Sequence, residues 1–194
     1  MRKTILYILL LTGLAFQATS AAECNYAPPR LVEQLTTPSD ALRVFLAGPG
    51  KIKLHLPQAP EYLLQANDML LIRLVGSGVF SSRPFTVDEA RQTKTSRLSV
   101  SDYVRLLFLD TAPGASLEDR QEAMQTRKAL NFDCRNIAYR RIGGVELFSH
   151  HQVRANGEYY HSYYVLDGKK VHYLDITGSD ELAESIISTL SKRN

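Results

Sequence analysis

Three histidines and a tyrosine lie in consecutive strand-like segments near the C-terminal end of the chain. His150 falls in the first segment, His161 and Tyr163 in the second, and His172 in the third. Imidazole is the commonest protein ligand for zinc and copper, so a metal site is the first chemistry to consider for these residues. If both connecting turns have two residues, counting outward from them places Tyr163 directly between His150 and His172, with His161 two residues along the same strand.

The predicted distance between the histidines on the outer strands is too large for them to share one metal ion easily. Neighbouring strands lie about 4.8 Å apart, so two histidines on the outer strands are separated by about 10 Å. No Asp or Glu falls on that face to complete a coordination sphere. We therefore expect no bound metal and no cofactor, and interpret His150, His161, Tyr163 and His172 as a polar, aromatic interaction face that is solvated or covers a partner. A metal or small-molecule site on the same face is the alternative interpretation.

Other residue patterns do not predict a catalytic centre. Ser77 stands in Gly76-Ser77-Gly78, whereas a nucleophile elbow needs Gly two residues to each side of the Ser. Four carboxylates lie on or beside predicted helices, where such groups usually cap helix ends or contact solvent. They are Asp102, Asp110, Glu118 and Asp119. We therefore expect no catalytic residue and no enzymatic activity.

The segments that carry the histidines predict a three-stranded antiparallel meander followed by a helix. Residues 145–154, 158–166 and 169–177 are rich in Tyr, Val and Leu. They are joined by Asn-Gly and Asp-Gly, which are strong hairpin signals because a type I′ turn needs positive φ at both central residues. Ser179 can cap a last helix through Leu190, whose apolar face must lie on the meander. In the two-residue register, the sheet face beneath that helix collects Val145, Leu147, Tyr160, Tyr164, Leu166, Val171 and Tyr173.

Upstream segments predict further strands and helices. Residues 51–56 alternate between apolar and polar, and residues 69–75 form a nearly continuous apolar run, so both are expected to be strands. Short helices are expected at 30–35, 42–46 and 86–92. A longer helix is expected to begin at Ser99 or Ser101, and another to span 117–130, where Ser116 and Asp119 resemble a capping box. The predicted fold class is α+β, with an antiparallel sheet whose C-terminal three-stranded meander packs against helices.

The first residues have the three parts of a secretory signal peptide: Arg2 and Lys3, an apolar run from Ile5 to Phe16, and small residues around Ala21. The run of about a dozen residues is shorter than the roughly 20 that a membrane-spanning helix needs. We expect residues 1–21 to be cleaved, leaving a single periplasmic domain of residues 22–194 without a membrane span. Removing Arg2 and Lys3 leaves 21 basic and 20 acidic side chains, a balance that argues against a nucleic-acid partner.

The mature chain keeps two cysteines, Cys24 and Cys134. An even number of cysteines in an oxidising compartment predicts one disulfide between them. This bond would tie the N-terminus to the body of the domain. The alternative, a nucleophilic Cys134 working with a histidine, needs a free thiol.

The order of strands, the Asp167-Gly168 turn, the last strand Lys170-Val171-His172-Tyr173-Leu174 and the closing helix resemble the C-terminal half of PsbP-like domains. The resemblance covers residues 139–190. It implies an α/β/α sandwich around an antiparallel sheet, of the kind found in exported binding and envelope proteins, and implies no catalytic residue.

Together these observations predict an exported binding protein whose partner is another protein, either a toxin or an envelope component. Five of the ten tyrosines lie between Tyr159 and Tyr173, and tyrosine supplies contact area in interfaces at low entropic cost. Small exported proteins with one disulfide and no enzyme motif include immunity proteins that neutralise secreted antibacterial toxins such as type VI effectors. An envelope protein that binds metal or a small molecule is the alternative.

Overall fold

A computed structural model describes residues 30–32, 42–46, 52–76, 78–90, 96–155 and 157–192. The strands are β1 (Arg30–Val32), β2 (Leu42–Phe45), β3 (Ile52–Leu56), β4 (Pro60–Ala66), β5 (Met69–Leu74), β6 (Val79–Pro84), β7 (Ile137–Ile142), β8 (Val145–Val153), β9 (Tyr159–Asp167), β10 (Lys170–Thr177) and β11 (Ser191–Lys192). The helices are α1 (Val87–Ala90), α2 (Val100–Leu109), α3 (Leu117–Ala129) and α4 (Asp180–Ile187). The predicted signal peptide, residues 1–21, lies outside the described residues.

Eight strands form one large sheet in the order β1-β7-β8-β9-β10-β6-β5-β4, and β11-β3-β2 form a small one. All neighbours are antiparallel except β1, which runs parallel to β7. The meander β8-β9-β10 lies at the centre of the large sheet and packs against helices on both sides. The α+β prediction is therefore confirmed. No helix within the described ranges combines the length and apolar character needed to cross a membrane.

The two faces of the large sheet bury different cores. One face packs against α4 and the small sheet, and we call it the α4 face; its side chains include Leu147, Val165 and Leu174, which contact Ile186 of α4 and Leu54 of β3 within one apolar cluster. Alternate residues of β3 point into this cluster, as the predicted alternation of residues 51–56 requires.

The opposite face packs against α2, and we call it the α2 face. Phe108 of α2 stacks on Phe148 of β8 with ring centroids 5.0 Å apart, and Tyr164 and Leu166 of β9 belong to the same cluster. Helix α3 lies behind α2, with Ala123 packed against Leu106 of α2. The large sheet is therefore covered by α2 and α3 on one side and by α4 and the small sheet on the other.

Serines begin the three longer helices as their sequence signals indicate. Ser99, Ser116 and Ser179 are the N-cap residues of α2, α3 and α4, and each side chain accepts a backbone N–H three residues later. At α3 the Asp119 carboxylate also accepts the Ser116 backbone N–H, completing a capping box. These interactions are local, which explains why the sequence predicts them.

The predicted register of β8 is wrong by one residue. Val153 pairs with Tyr159, and Arg154 N–H donates to the Glu158 carbonyl at 3.0 Å, which leaves a three-residue loop at 155–157. The extra residue moves every β8 side chain to the other face relative to β9. In the β9–β10 turn, Asp167 pairs with Lys170, a shift of two residues that preserves the faces.

The predicted set of sheet residues beneath the last helix is therefore largely wrong. Val145 and Leu147 do lie in the cluster that contains α4. The cross-strand pairs place the other five residues on the α2 face, because α2 covers the aromatic side of β9 and β10. These five are Tyr160, Tyr164, Leu166, Val171 and Tyr173.

Two short helices predicted near the N-terminal end are also wrong. Residues 30–32 form β1, which pairs with β7, and residues 42–45 form β2, which pairs with β3. Partner strands distant in sequence supply the backbone hydrogen bonds in both cases, and this tertiary pairing overrides a weak local helical pattern.

Candidate functional site

The four residues of the predicted interaction face do not share one face. Tyr163 lies opposite Ser149 and Leu174, and His172 lies opposite Val165, all on the α4 face. His161 is on that face too, opposite His151 and Ile176. His150 lies opposite Ser162 on the α2 face, because the longer loop before β9 shifts β8 by one residue.

All four side chains are also buried. His150, His161, Tyr163 and His172 expose 3%, 1%, 4% and 3% of their surface. The α4 face is covered by α4 and the small sheet, and the α2 face by α2, so the residues selected from the sequence are not an exposed interaction surface. This corrects the prediction for all four positions.

His150 lies in an aromatic environment on the α2 face. Its ring centroid is 4.5 Å from that of Phe132, and the Gln152 side-chain nitrogen is 3.4 Å from His150 Nδ1. Burial, assisted by the neighbouring His151, lowers the pKa of His150 from 6.5 to about 4. The ring is therefore neutral at pH 7 and serves as a packing group.

His151, which the sequence analysis did not select, contacts His161 directly. Their Nδ1 atoms are 2.6 Å apart, so one ring must donate an N–H and the other must accept it. Burial lowers the pKa of both rings, which keeps the pair neutral. Only the correct loop length before β9 would have identified this pair, because it decides which β8 histidine lies opposite His161.

Asp180, the first residue of α4, lies at the other side of the His161 ring. Its Oδ1 is 3.4 Å from His161 Nε2, and the carboxylate raises the pKa of His161 against the larger effect of burial. The three groups form a line from Asp180 through His161 to His151. Within the described ranges, no three His, Cys, Asp or Glu side chains are grouped so that they could hold a metal ion.

His172 is separate from this line of groups. It lies opposite Val165 of β9 and Pro84 of β6, and neither ring nitrogen has a hydrogen-bond partner within the structure as described. Burial is the main cause that lowers its pKa. His161 Nε2 also makes no hydrogen bond among the described residues, although Asp180 Oδ1 lies 3.4 Å away.

Among the described residues, four of the nine exposed large apolar side chains lie on the hairpin β4–β5, at one edge of the large sheet. Tyr62, Leu63 and Leu64 of β4 expose 54%, 51% and 54% of their surface, and Met69 of β5 exposes 42%. We call these four residues the hairpin patch. Most globular monomers cover such groups, so a cluster of them marks a contact surface.

Cross-strand pairing shows how the hairpin patch is arranged. Tyr62 lies opposite Arg73, and Leu64 lies opposite Leu71, on the side that corresponds to the α2 face. Leu63 lies opposite Ile72 and belongs to the α4 side. Strand β4 therefore presents apolar side chains on both sides of the sheet.

Paired charges surround the hairpin patch. Arg73 Nε lies 3.3 Å from the Glu61 carboxylate. Arg83 forms an ion pair with Glu89 of α1, and the Thr86 hydroxyl donates to the same carboxylate at 3.1 Å. Arg83, Thr86 and Glu89 line, together with Met69, part of a shallow depression of about 430 Å³ at the turn end of the hairpin. Both arginines are paired with carboxylates, and Asp68 at the turn is a further acidic residue beside the depression.

Strand β4 was not predicted from the sequence. Its residues are exposed on both faces, so the strand lacks the alternation of apolar and polar residues that reveals a half-buried strand. The available signal was the turn: Asn67-Asp68 directly precedes the apolar run of β5, and Asn67 adopts a positive φ of 51°. That turn joins β4 to β5.

Cys134 lies in the turn between α3 and β7, and its predicted partner, Cys24, lies outside the described residues. The disulfide between them stays a prediction.

Comparison with known proteins shows no family. No family model matches the chain, and no curated protein matches it significantly. A solved structure from Bacteroides thetaiotaomicron VPI-5482, at 1.50 Å resolution, aligns with 78% of this chain at 15% identity and a TM-score of 0.40. This chain spans about half of that protein, 48% of its length. The resemblance to PsbP-like domains stays a prediction.

Proposed function

We propose that the chain is an exported periplasmic binding protein without a catalytic centre, and that it binds a protein partner through the hairpin patch. The observation that supports this proposal is the exposure of Tyr62, Leu63, Leu64 and Met69 on an edge hairpin. The signal-peptide pattern at residues 1–21 supports export.

The energetics of the hairpin patch favour a protein partner. Completely burying one large apolar side chain contributes roughly 1.5–3 kcal/mol, so covering a half-exposed one contributes about 1 kcal/mol. Three of these groups, Tyr62, Leu64 and Met69, share one side of the sheet. Such a cluster can anchor an interface, in which a few central apolar or aromatic residues usually dominate the binding energy. Arg73 and Arg83 are already paired with Glu61 and Glu89, so binding would not require the two arginines to find new partners.

In its narrower form, we propose that the protein is an immunity protein that inhibits a secreted antibacterial toxin, such as a type VI effector. The support is the combination of an export signal, a predicted single disulfide and an apolar contact surface on a small domain. Such an inhibitor must cover a large area of its target, about 800 Å² on each partner.

The test is capture of the product of the adjacent gene by the purified mature protein. We expect the double variant Tyr62→Ala, Leu64→Ala to lose capture, and cells carrying it to lose protection against that toxin. Met124→Ala is the matched control, since Met124 is equally exposed but lies on α3. Absence of both capture and protection with the unaltered protein would refute the immunity proposal.

One observation supports the alternative, an envelope protein that binds metal or a small molecule. His161 Nε2 and both ring nitrogens of His172 are buried without hydrogen-bond partners in the described structure, and such atoms can be satisfied by a ligand. Calorimetric titration with zinc and copper tests it, together with His161→Ala and His172→Ala. Unchanged affinity in both variants, or no heat of binding at all, removes this alternative.

A further inference from the structure

We infer that β4 pairs with β4 of a second copy of this chain, antiparallel and about a two-fold axis that passes through Leu63. This inference rests on the proposed function and deepens it, because the dimer joins two hairpin patches into one contact surface.

The free edge of β4 is available for pairing. Strand β4 is the last strand of the large sheet and pairs on one side with β5; no strand within the described ranges pairs with its other side. Natural edge strands are usually protected by charged residues, prolines or bulges. Here the proline and the bulge lie at the start, between Pro60 and Tyr62, and residues 62–66 carry no charged side chain.

The sequence of β4 is complementary to itself in the antiparallel direction. With Leu63 opposite Leu63 of the second copy, Tyr62 lies opposite Leu64. The bulge between Pro60 and Tyr62 ends the regular register before Glu61. Residues directly opposite one another share a face, so the Tyr–Leu pairs lie on one side and the Leu–Leu pair on the other. No charge meets a like charge, and the single carboxylate, Glu61, is already paired with Arg73 of its own copy.

This symmetry favours a second copy over an unrelated strand. Any extended segment could use the backbone edge, but an antiparallel second copy is certain to supply apolar pairs on both faces, and it keeps the two Glu61 carboxylates at opposite ends of the paired segment. The two hydrophobic residues of each Tyr62–Leu64 pair come from different copies. The dimer therefore presents both Met69 side chains and both such pairs on one side of a continuous sheet.

The first test is sedimentation velocity of the mature protein at a series of micromolar concentrations. We expect the unaltered protein to dimerise, and Leu63→Lys to weaken dimerisation about tenfold or more because two lysines then face each other at the axis. Val153→Lys is the matched control; Val153 is an exposed apolar residue at the end of β8, and its substitution should leave the dimer unchanged.

Cysteine crosslinking provides a second readout that does not depend on introducing charge. In the inferred register, Leu63→Cys places two thiols directly opposite, within the Cα separation of roughly 4.4–6.8 Å that a disulfide accepts. Leu64→Cys is the control, because its counterpart in the second copy is offset by two residues and lies too far away. We expect a covalent dimer on non-reducing gels for Leu63→Cys alone.

A protein that stays monomeric up to about 100 µM, a Leu63→Lys variant that dimerises as tightly as the unaltered protein, or equal crosslinking of both cysteine variants would each overturn the inference. These failures are distinguishable from failure of the proposed function. If Leu63→Lys is monomeric but still captures the adjacent-gene product, the dimer is confirmed and is not needed for capture. If capture fails while the dimer forms, only the proposed partner is wrong.

Discussion

His150 should make the stability of this protein sensitive to mild acid. Its ring is buried against Phe132, and burial lowers its pKa from 6.5 to about 4. In the unfolded chain the ring binds a proton near pH 6.5, whereas in the folded chain it stays neutral until about pH 4. The stability is therefore fully present above pH 6.5 and is lost progressively as the pH falls from 6.5 towards 4.

The magnitude follows from the two pKa values. At pH 5 the unfolded ring is almost completely protonated and the folded ring is mostly neutral, so the free energy of unfolding falls by about 2 kcal/mol relative to pH 7.5. His150→Phe removes the titrating nitrogens and keeps an aromatic ring against Phe132. We expect the variant to lose about 2 kcal/mol less than the unaltered protein between these two pH values.

Urea unfolding at pH 7.5 and pH 5.0 measures this difference directly. The other histidines with lowered pKa values are present in both proteins, so their contributions cancel in the comparison; they are His55, His151, His161 and His172. Gln152→Ala is the control, because Gln152 contacts the same ring without titrating. If His150→Phe shows the same loss between pH 7.5 and 5.0 as the unaltered protein, His150 is not the buried neutral group described above.

Three further predictions concern stability. Gly78→Ala should lower the free energy of unfolding by about 1 kcal/mol, because the new Cβ would lie 2.6 Å from Leu182 Cδ2, the end of a partly buried side chain on α4 that can turn aside; an unchanged melting temperature would contradict this close packing. Phe108→Ala should lower it by about 3–5 kcal/mol, since the ring is buried between α2 and the sheet; urea unfolding measures the loss, and a loss below 1 kcal/mol would argue against the cluster. If the protein is exported as we propose, peptide mapping without reductant should recover Cys24 linked to Cys134, and Cys134→Ser should lower stability by up to about 4 kcal/mol; recovery of both residues as free thiols would exclude the bond.

The features that could be predicted from sequence are those that depend on neighbours along the chain. Ser99, Ser116 and Ser179 begin helices because their side chains accept N–H groups only three residues away. The strands of the meander were also predicted, since their tyrosine-rich and β-branched runs lie between turn signals.

The candidate site could not be predicted because register depends on the length of one loop. A single additional residue at 155–157 moved His150 to the α2 face and placed His151 against His161. Successive side chains of a strand point to opposite faces, so an error of one residue in the loop length reverses the face of every side chain. The Asn-Gly signal alone does not state whether two or three residues form the loop. The same error divided the residues predicted to lie beneath α4 between the two faces of the sheet.

The sequence also could not predict which of these side chains are buried. Histidine and tyrosine have polar atoms and are often exposed, so His161 and Tyr163 were natural choices for a surface, yet the tertiary structure covers them with α4 and the small sheet. The exposed apolar groups instead belong to β4, which carries no periodic signal because neither of its faces is packed against a helix.

The sequence by itself determined the helix starts, the central meander, the α+β class and the expectation of export, because each follows from contacts or patterns within about ten residues. Only the tertiary structure decided which faces the side chains occupy, which histidines meet and where apolar surface remains open. Those outcomes depend on strands brought together from distant parts of the chain, and a one-residue difference in a loop is enough to exchange the side chains that face α4 with those that face α2.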